Sequence, residues 1–347
     1  MKKSNTISID LAKSVFQIAV INPQGKIVSN KPIKRHKLLK WIAQQPLSKI
    51  VMEACGSSNY WGRQFQEFEH QVKLIAAQHV KPFVKTNKND AIDVIAIFEA
   101  SDRPNMTFVG IKNLQEQDMQ SILRVRKGLM DRKVKLMNQA RGLLAEYGVI
   151  FPTGAARLKA GFMALMSGEN QTQDVTSCLI GLVEEWYQEL IALESAIDKK
   201  DKTIQQMTRQ SEVAQRLMKI EGIGPLTAMT MISTVGSQAT EFKNGRAMAA
   251  FLGLTPKQHS SGGKTKLGRI SRHGDKHLRT LLVNGATSVM KVVEKKTDPK
   301  SQWVKKLGQR MHKNKAKLAL ANKMARIAWV ILARGETYKP QLASTVN

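Results

Sequence analysis

The sequence predicts an α/β domain followed by two predominantly helical regions. Three observations carry that expectation. Short alternating runs interleave with helical spacing over the N-terminal third. Two long proline-free stretches, Leu114 to Tyr147 and Thr176 to Met207, keep helical periodicity in the middle. Glycines then punctuate shorter, strongly basic helical runs as far as Gly335.

In chain order, Thr6–Asp10 alternates as a strand that ends in an acid, and Val15–Ile21 reads as a second strand. Asn22-Pro23-Gln24-Gly25 is a turn, and Lys26–Ile33 a third strand. His36–Gln44 has helical spacing, and Ile50-Val51-Met52 is a short apolar run ending in Glu53. Asn59–Phe68 reads as a helix, Val72–Ala76 as a strand and Asn89–Ala100 as a helix entered at Asn87 or Asn89. A strand meander followed by alternating helices and strands predicts a mixed sheet. Ile122, Val125, Leu129, Leu136 and Leu143 mark one long helix. Ala156–Asn170 has room for a short one. Leu179, Val183, Trp186, Leu190, Leu193, Ile197, Ile204 and Met207 keep a heptad seam broken at Lys200. The two long helices form either an antiparallel pair in one chain or a coiled coil shared between subunits.

Leu217–Ala228 has the form helix, Gly222-Ile223-Gly224 turn, helix, similar to a helix-hairpin-helix. Gly222 and Gly224 would let the chain approach a phosphate; a plain tight turn is the alternative. Ala247–Leu252 is helical, and Gly253-Leu254-Thr255-Pro256 stops it. Lys257–Asp275 is glycine-rich and basic, and by composition reads as a loop on a phosphate backbone, with Lys257, Lys264, Lys266, Arg269 and Arg272 offering charge. Lys276 and Arg279 are read as further nucleic-acid contacts, Leu278–Val292 as the next helix, and Lys313–Ala333 as a basic amphipathic helix. The expected domains are 1–112, 113–210 and 211–335, with 336–347 a disordered tail.

Composition narrows the partners. The 347 residues carry 55 Lys+Arg against 27 Asp+Glu, a formal net charge of +28. That excess predicts a polyanion, nucleic acid first and an anionic membrane surface second. No apolar run reaches the roughly 20 residues of a membrane span. Met1-Lys2-Lys3 is followed by a strand-like run containing Asp10, not by the apolar core of a signal peptide. Cys55 and Cys178 make no disulfide or metal framework, which fits a cytoplasmic protein.

In so basic a chain the placement of the acids is informative. Asp10 closes the first strand and Glu53 the fourth, while Asp90 and Asp93, three apart, share a face at the start of a helix. Two carboxylates about 4 Å apart repel by roughly 4 kcal/mol at an effective dielectric near 20. A divalent cation offsets such repulsion. Strand-end acids are also common as solvated groups. As a set, these four make a site for two Mg²⁺ about 3.5–4 Å apart, suited to in-line displacement at phosphorus.

The order Asp…Glu…Asp-x-x-Asp resembles the RuvC-like (RNase H-like) domain of the DEDD recombinases of bacterial insertion sequences. These include the Piv invertase and the "insertion sequence one-ten" transposases. The resemblance is carried by Ile9-Asp10-Leu11-Ala12-Lys13, Met52-Glu53-Ala54-Cys55-Gly56, Gln78-His79-Val80-Lys81-Pro82 and Lys88-Asn89-Asp90-Ala91-Ile92-Asp93. At the other end it is carried by Gly253-Leu254-Thr255-Pro256, Ser261-Gly262, Gly268-Arg269-Ile270-Ser271 and Gly274-Asp275-Lys276-His277-Leu278-Arg279. The resemblance implies Asp10, Glu53, Asp90 and Asp93 as the metal tetrad and Ser261, the serine before glycine, as nucleophile, with Ser260 and Ser271 as alternatives. It also implies a coiled-coil middle, a homo-oligomer (dimer or tetramer), double-stranded DNA as substrate, a structured guide RNA and a place at the bacterial nucleoid. Ser57-Ser58 departs from the pattern, where smaller residues are expected. Two other functions use the same features: a metal-dependent junction endonuclease that hydrolyses with water, and a non-catalytic nucleic-acid scaffold.

Overall fold

The computed structural model describes residues 4–84, 89–104, 106–169, 174–239, 241–261 and 263–339. Asn87, Lys88, Gly262 and the tail from Pro340, all used in the sequence reading, lie outside the described residues. The chain divides into two compact units. The first holds Met1–Gln117, Lys219–Gly222 and Met231–Asn347, and the second holds Asp118–Met218 with Ile223–Thr230. Both ends of the chain therefore belong to one unit.

The N-terminal part of the first unit is the expected mixed α/β layer. Its strands are β1 (Thr6–Asp10), β2 (Val15–Ile21), β3 (Ile27–Lys34), β4 (Lys49–Glu53), β5 (Gln71–Ile75) and β6 (Phe108–Val109), in sheet order β3-β2-β1-β4-β5-β6. β1 pairs antiparallel to β2 and parallel to β4, with Ile9 opposite Met52. Four helices join them: α1 (Leu38–Ala43), α2 (Ser58–Gln66), α3 (Ala77–Val80) and α4 (Asp90–Ser101). This arrangement is consistent with an RNase H-like domain. Period-2 alternation separates the two faces. Ile7, Ile9, Ile50 and Met52 pack with Leu38, Ile42, Trp61 and Phe65 of α1 and α2. Val51 and Ile75 turn the other way, onto Ala96, Ile97 and Ala100 of α4.

In the second unit, most of α5 (Leu114–Ala145) lies beside α6 (Ala155–Met166), α7 (Ser177–Gln210) and α8 (Glu212–Met218). Thr176 caps α7 by accepting from the Leu179 amide. Arg126 donates to Asp201 at 2.5 and 3.1 Å, and Lys133 to Glu194 at 2.8 Å, so the start of α5 meets the end of α7. The pair is antiparallel within one chain. Leu129, Leu136, Ala140 and Leu144 face Val183, Trp186, Leu190 and Leu193. The seam expected on α5 was partly misplaced: Val125 and Leu143 are exposed, whereas Leu123 and Leu144 are buried. Spacings of three and four fit both edges of a helical stripe, and the partner helix decides which edge is covered.

The remaining elements are α9 (Pro225–Val235), α10 (Gly245–Phe251), β7 (Pro256–Ser261), β8 (Lys264–Ile270), α11 (Lys276–Val292), α12 (Pro299–Arg310) and α13 (Lys313–Arg334). The basic stretch read as a loop is a two-stranded antiparallel hairpin, with Ser261 opposite Lys264 and His259 opposite Lys266. All six β7 residues are exposed, so no apolar alternation announced the strand. Helix α12 was not anticipated either, although Asp298 as cap and Pro299 at the first position are ordinary start signals. Ala316, Leu320, Ala321, Met324, Ala325 and Ala328 make the buried side of α13, which packs on α10, α11 and α12.

Two glycines mark where backbones meet. Gly274 has φ +68, and a Cβ there would lie 2.0 Å from the Phe251 carbonyl oxygen. Gly274→Ala is therefore expected to cost at least about 2 kcal/mol, read by urea unfolding. Gly222 meets Gly285 of α11: a Cβ on Gly222 would lie 2.8 Å from the Gly285 carbonyl oxygen. Its missing side chain thus serves internal packing. Gly224 has open space around its Cα.

Glu221 ties this region to α12. It accepts from Lys296 at 2.7 Å and from Lys300, whose side chain is 7% exposed. Burial would raise the Glu221 carboxyl, but hydrogen bonds from Lys296 and Lys300 outweigh it and hold it below the usual range. A carboxylate lowered by folding stabilises above its unfolded value and loses that contribution as pH falls through the lower folded one. Wild-type stability should therefore fall as the solution is acidified below about pH 4.5, the ordinary glutamate value. Glu221→Gln should flatten that limb and cost about 1–2 kcal/mol at neutral pH, because Lys300 stays buried without its counter-charge. A series of thermal melts across pH reads both effects.

Candidate active site

The acids converge as the strand order requires. Ser8 and Asp10 share one parity on β1, and Val51 and Glu53 share one on β4, so both acids turn to the face covered by α4. Parallel pairing of β1 with β4 brings the two strand ends side by side. Helix α4 is fixed over them by two bonds, and a third caps its start. Ser8 Oγ donates to the Val94 carbonyl at 2.7 Å, Asn30 Nδ2 donates to the Ala91 carbonyl at 2.9 Å, and Asn89 caps the helix by accepting from the Ala91 amide at 3.0 Å. Val94 packs on Ala19 and Ile21.

Carboxylate oxygens of Asp10, Asp90 and Asp93 then lie within 4.8 Å of one another. Glu53 is outside that three-way group, but its charge acts on Asp10. The Asp10 carboxyl is pushed up to about 6 by burial first, then by Asp93, Asp90 and Glu53. Glu53 is raised by burial and by Asp93, and the Cys55 thiol by burial, Glu53 and Asp10. An all-oxygen, mutually repelling donor set fits a hard divalent cation such as Mg²⁺.

The C-terminal site residues sit on or beside the hairpin. Ser261 is exposed at its end. Ser260 Oγ accepts from Gln258 Nε2 at 2.7 Å, and Ser271 Oγ is buried. Lys257, Lys264, Lys266, Arg269, Arg272 and Lys276 are all exposed. Arg279 is different: it is 9% exposed, and its Nη1 donates to the Leu252 carbonyl at 3.1 Å and the His273 carbonyl at 2.7 Å. Those two bonds make Arg279 a support of the turn. That turn contains Arg272 at φ +59, a conformation costly for a residue with a Cβ.

Two histidines far apart in sequence, His79 and His273, come near each other. His79 lies in α3, directly after β5, the strand beside Glu53. Burial and the neighbouring His273 hold its imidazole below the ordinary value. Nothing in the local spacing could have paired residues so far apart in sequence. Ser57, at the departure from the expected pattern, has φ +69 before α2, and Ser58 Oγ donates to the Cys55 carbonyl at 2.9 Å.

Comparison with known proteins agrees at both ends. A family described as Transposase, of the DEDD type, matches residues 7–149, and the family described as Transposase IS116/IS110/IS902 matches residues 214–302. A probable family 20 transposase of Pseudomonas aeruginosa is 42% identical over 336 residues, 96% of this chain and 98% of that protein. The chain belongs to the IS116/IS110/IS902 family of transposases. The transposase for insertion sequence element IS1111A of Coxiella burnetii is 39% identical, covering 98% of this chain and 92% of its own. That for IS1328 of Yersinia enterocolitica is 36% identical over 97% and 99%. Family transposases cleave and rejoin DNA, and the matched DEDD domain points to divalent-metal use. Among the described residues, no helix is long and apolar enough to cross a membrane.

Proposed function

We propose that this transposase recombines DNA at specific sites through a serine nucleophile assisted by a metal-holding DEDD site and guided by a structured RNA. The observation that carries the reading is the convergence of Asp10, Asp90 and Asp93 from two separate elements in a protein of net charge +28. Asp10, Glu53, Asp90 and Asp93 would hold Mg²⁺. Bound there, the metal would neutralise charge on the scissile phosphate and favour displacement at phosphorus.

Ser261 supplies the nucleophile. Its oxygen bonds to phosphorus as the bond to one DNA oxygen breaks. The serine proton is lost and the departing DNA hydroxyl gains one. A second strand end reverses the step and frees the serine. Exposure favours Ser261 over Ser271, whose hydroxyl is buried, and Ser260 is already engaged by Gln258. The exposed Lys264, Lys266, Arg269 and Arg272 balance the charge that builds on phosphorus. The Gly224 turn and the helix after it contact the DNA backbone, and the protein acts as a homo-oligomer. The three domains expected from sequence are the functional parts of this assignment.

An excision-and-insertion assay tests the reading. It uses DNA carrying the element's ends, a target, and RNA co-purified from a host that expresses the whole element. Joined product is expected with Mg²⁺ and RNA, and not after chelation or ribonuclease treatment. Product that survives ribonuclease would remove the guide RNA from the account. Product that survives chelation would remove the metal.

A further inference from the structure

A second basic site lies away from the hairpin sequence. Residues of α10 and α13 enclose a groove of about 370 Å³ lined by Asn244, Gly245, Arg246, Arg326, Trp329, Val330 and Arg334. None of these is acidic. The groove exists because Gly245 lets the two backbones touch: a Cβ there would lie 2.9 Å from the Arg326 carbonyl oxygen. That contact seats Arg246 beside Arg326. The indole is held in place as well, with Trp329 Nε1 donating to the Phe242 carbonyl at 3.1 Å. Arg334 lies over the Trp329 ring at 5.8 Å from its centroid. Its contact with Glu336 is 3.7 Å long between two exposed side chains, an ion pair that solvent weakens. Burial and the charge of Arg246 both work against the Arg326 cation, and Arg326 in turn disfavours the charge on Lys323 one turn earlier. Crowded guanidinium groups around a fixed aromatic ring are the arrangement that meets phosphodiesters bidentately and stacks on bases or sugars.

We propose that this groove binds the phosphodiester backbone of a nucleic-acid strand, with Arg246, Arg326 and Arg334 around its phosphates and Trp329 beneath it. The inference rests on the nucleic-acid reading above and adds a contact apart from the Ser261 hairpin. The test is the double variant Arg246→Gln/Arg334→Gln, whose positions are both exposed, so its melting temperature should match wild type. Binding is titrated over a range of salt with a labelled DNA duplex of about 40 base pairs and with single-stranded RNA of about that length. The expected result is roughly tenfold weaker binding to at least one probe, with the salt dependence shallower by about one to two phosphate contacts. The probe affected says which strand occupies the groove. Wild-type affinity and slope for both probes would overturn the site and leave the transposase reading standing. Failure of wild type to bind either probe would overturn both.

Discussion

Asp10→Asn is expected to lose at least about a thousandfold in DNA strand cleavage while making the chelated protein more stable. The two effects have one cause. Asp10 is buried enough that its carboxyl is pushed up to about 6, and Asp93, Asp90 and Glu53 all add repulsion. Removing the charge relieves that repulsion, which for close carboxylates amounts to a few kcal/mol, on the order of 4 for a pair about 4 Å apart. It also removes the carboxylate that, on the proposed reading, would join β1 to the α4 acids through a cation. A thousandfold loss corresponds to about 4 kcal/mol of transition-state stabilisation. Thermal melts with and without Mg²⁺ separate the readings: the cation should stabilise wild type and leave Asp10→Asn nearly unchanged. A variant that cleaves normally, or that melts well below wild type under chelation, would make Asp10 a structural residue.

Ser261→Ala is expected to abolish strand joining while keeping DNA affinity, Mg²⁺ stabilisation and the fold. Ser261 is exposed at the end of a hairpin whose first strand is wholly exposed, so losing its hydroxyl leaves no cavity and no buried orphan group. On the proposed mechanism activity should fall to background, because the Ser261 oxygen would itself form the bond to phosphorus. Binding titrations, melts and joining assays on one preparation distinguish this from misfolding. Cleavage that continues at wild-type rate would assign the attack to water, as in a hydrolytic junction nuclease.

The convergence of Asp10, Asp90 and Asp93 was legible because its signals are local and periodic. Alternation along β1 and β4 fixes which side the acids take, and Asn89 announces the start of α4. Bringing Asp10 beside Glu53 also needs β1 and β4 to be neighbours, and their parallel pairing, with Ile9 opposite Met52, supplies that. The C-terminal half was harder to read. The β7–β8 hairpin buries little, so its strands leave no hydrophobic pattern. Arg279 looks like any arginine in a basic run, and only the fold reveals the Leu252 and His273 carbonyls it holds. Gly222 likewise carries a glycine's freedom in sequence, but which neighbour approaches it depends on where α11 lies. The α10–α13 groove joins residues from two distant stretches, and no spacing rule links Arg246 to Arg326.

The proposed serine mechanism requires a covalent link between Ser261 and DNA, and that link can be trapped. Wild type, Ser261→Ala and Asp10→Asn are each incubated with Mg²⁺, labelled element ends and the co-purified RNA, then denatured and examined for label on the protein. An adduct is expected with wild type and none with either variant. Cut or joined DNA with no adduct at any time, or an adduct that persists in Ser261→Ala, would contradict it.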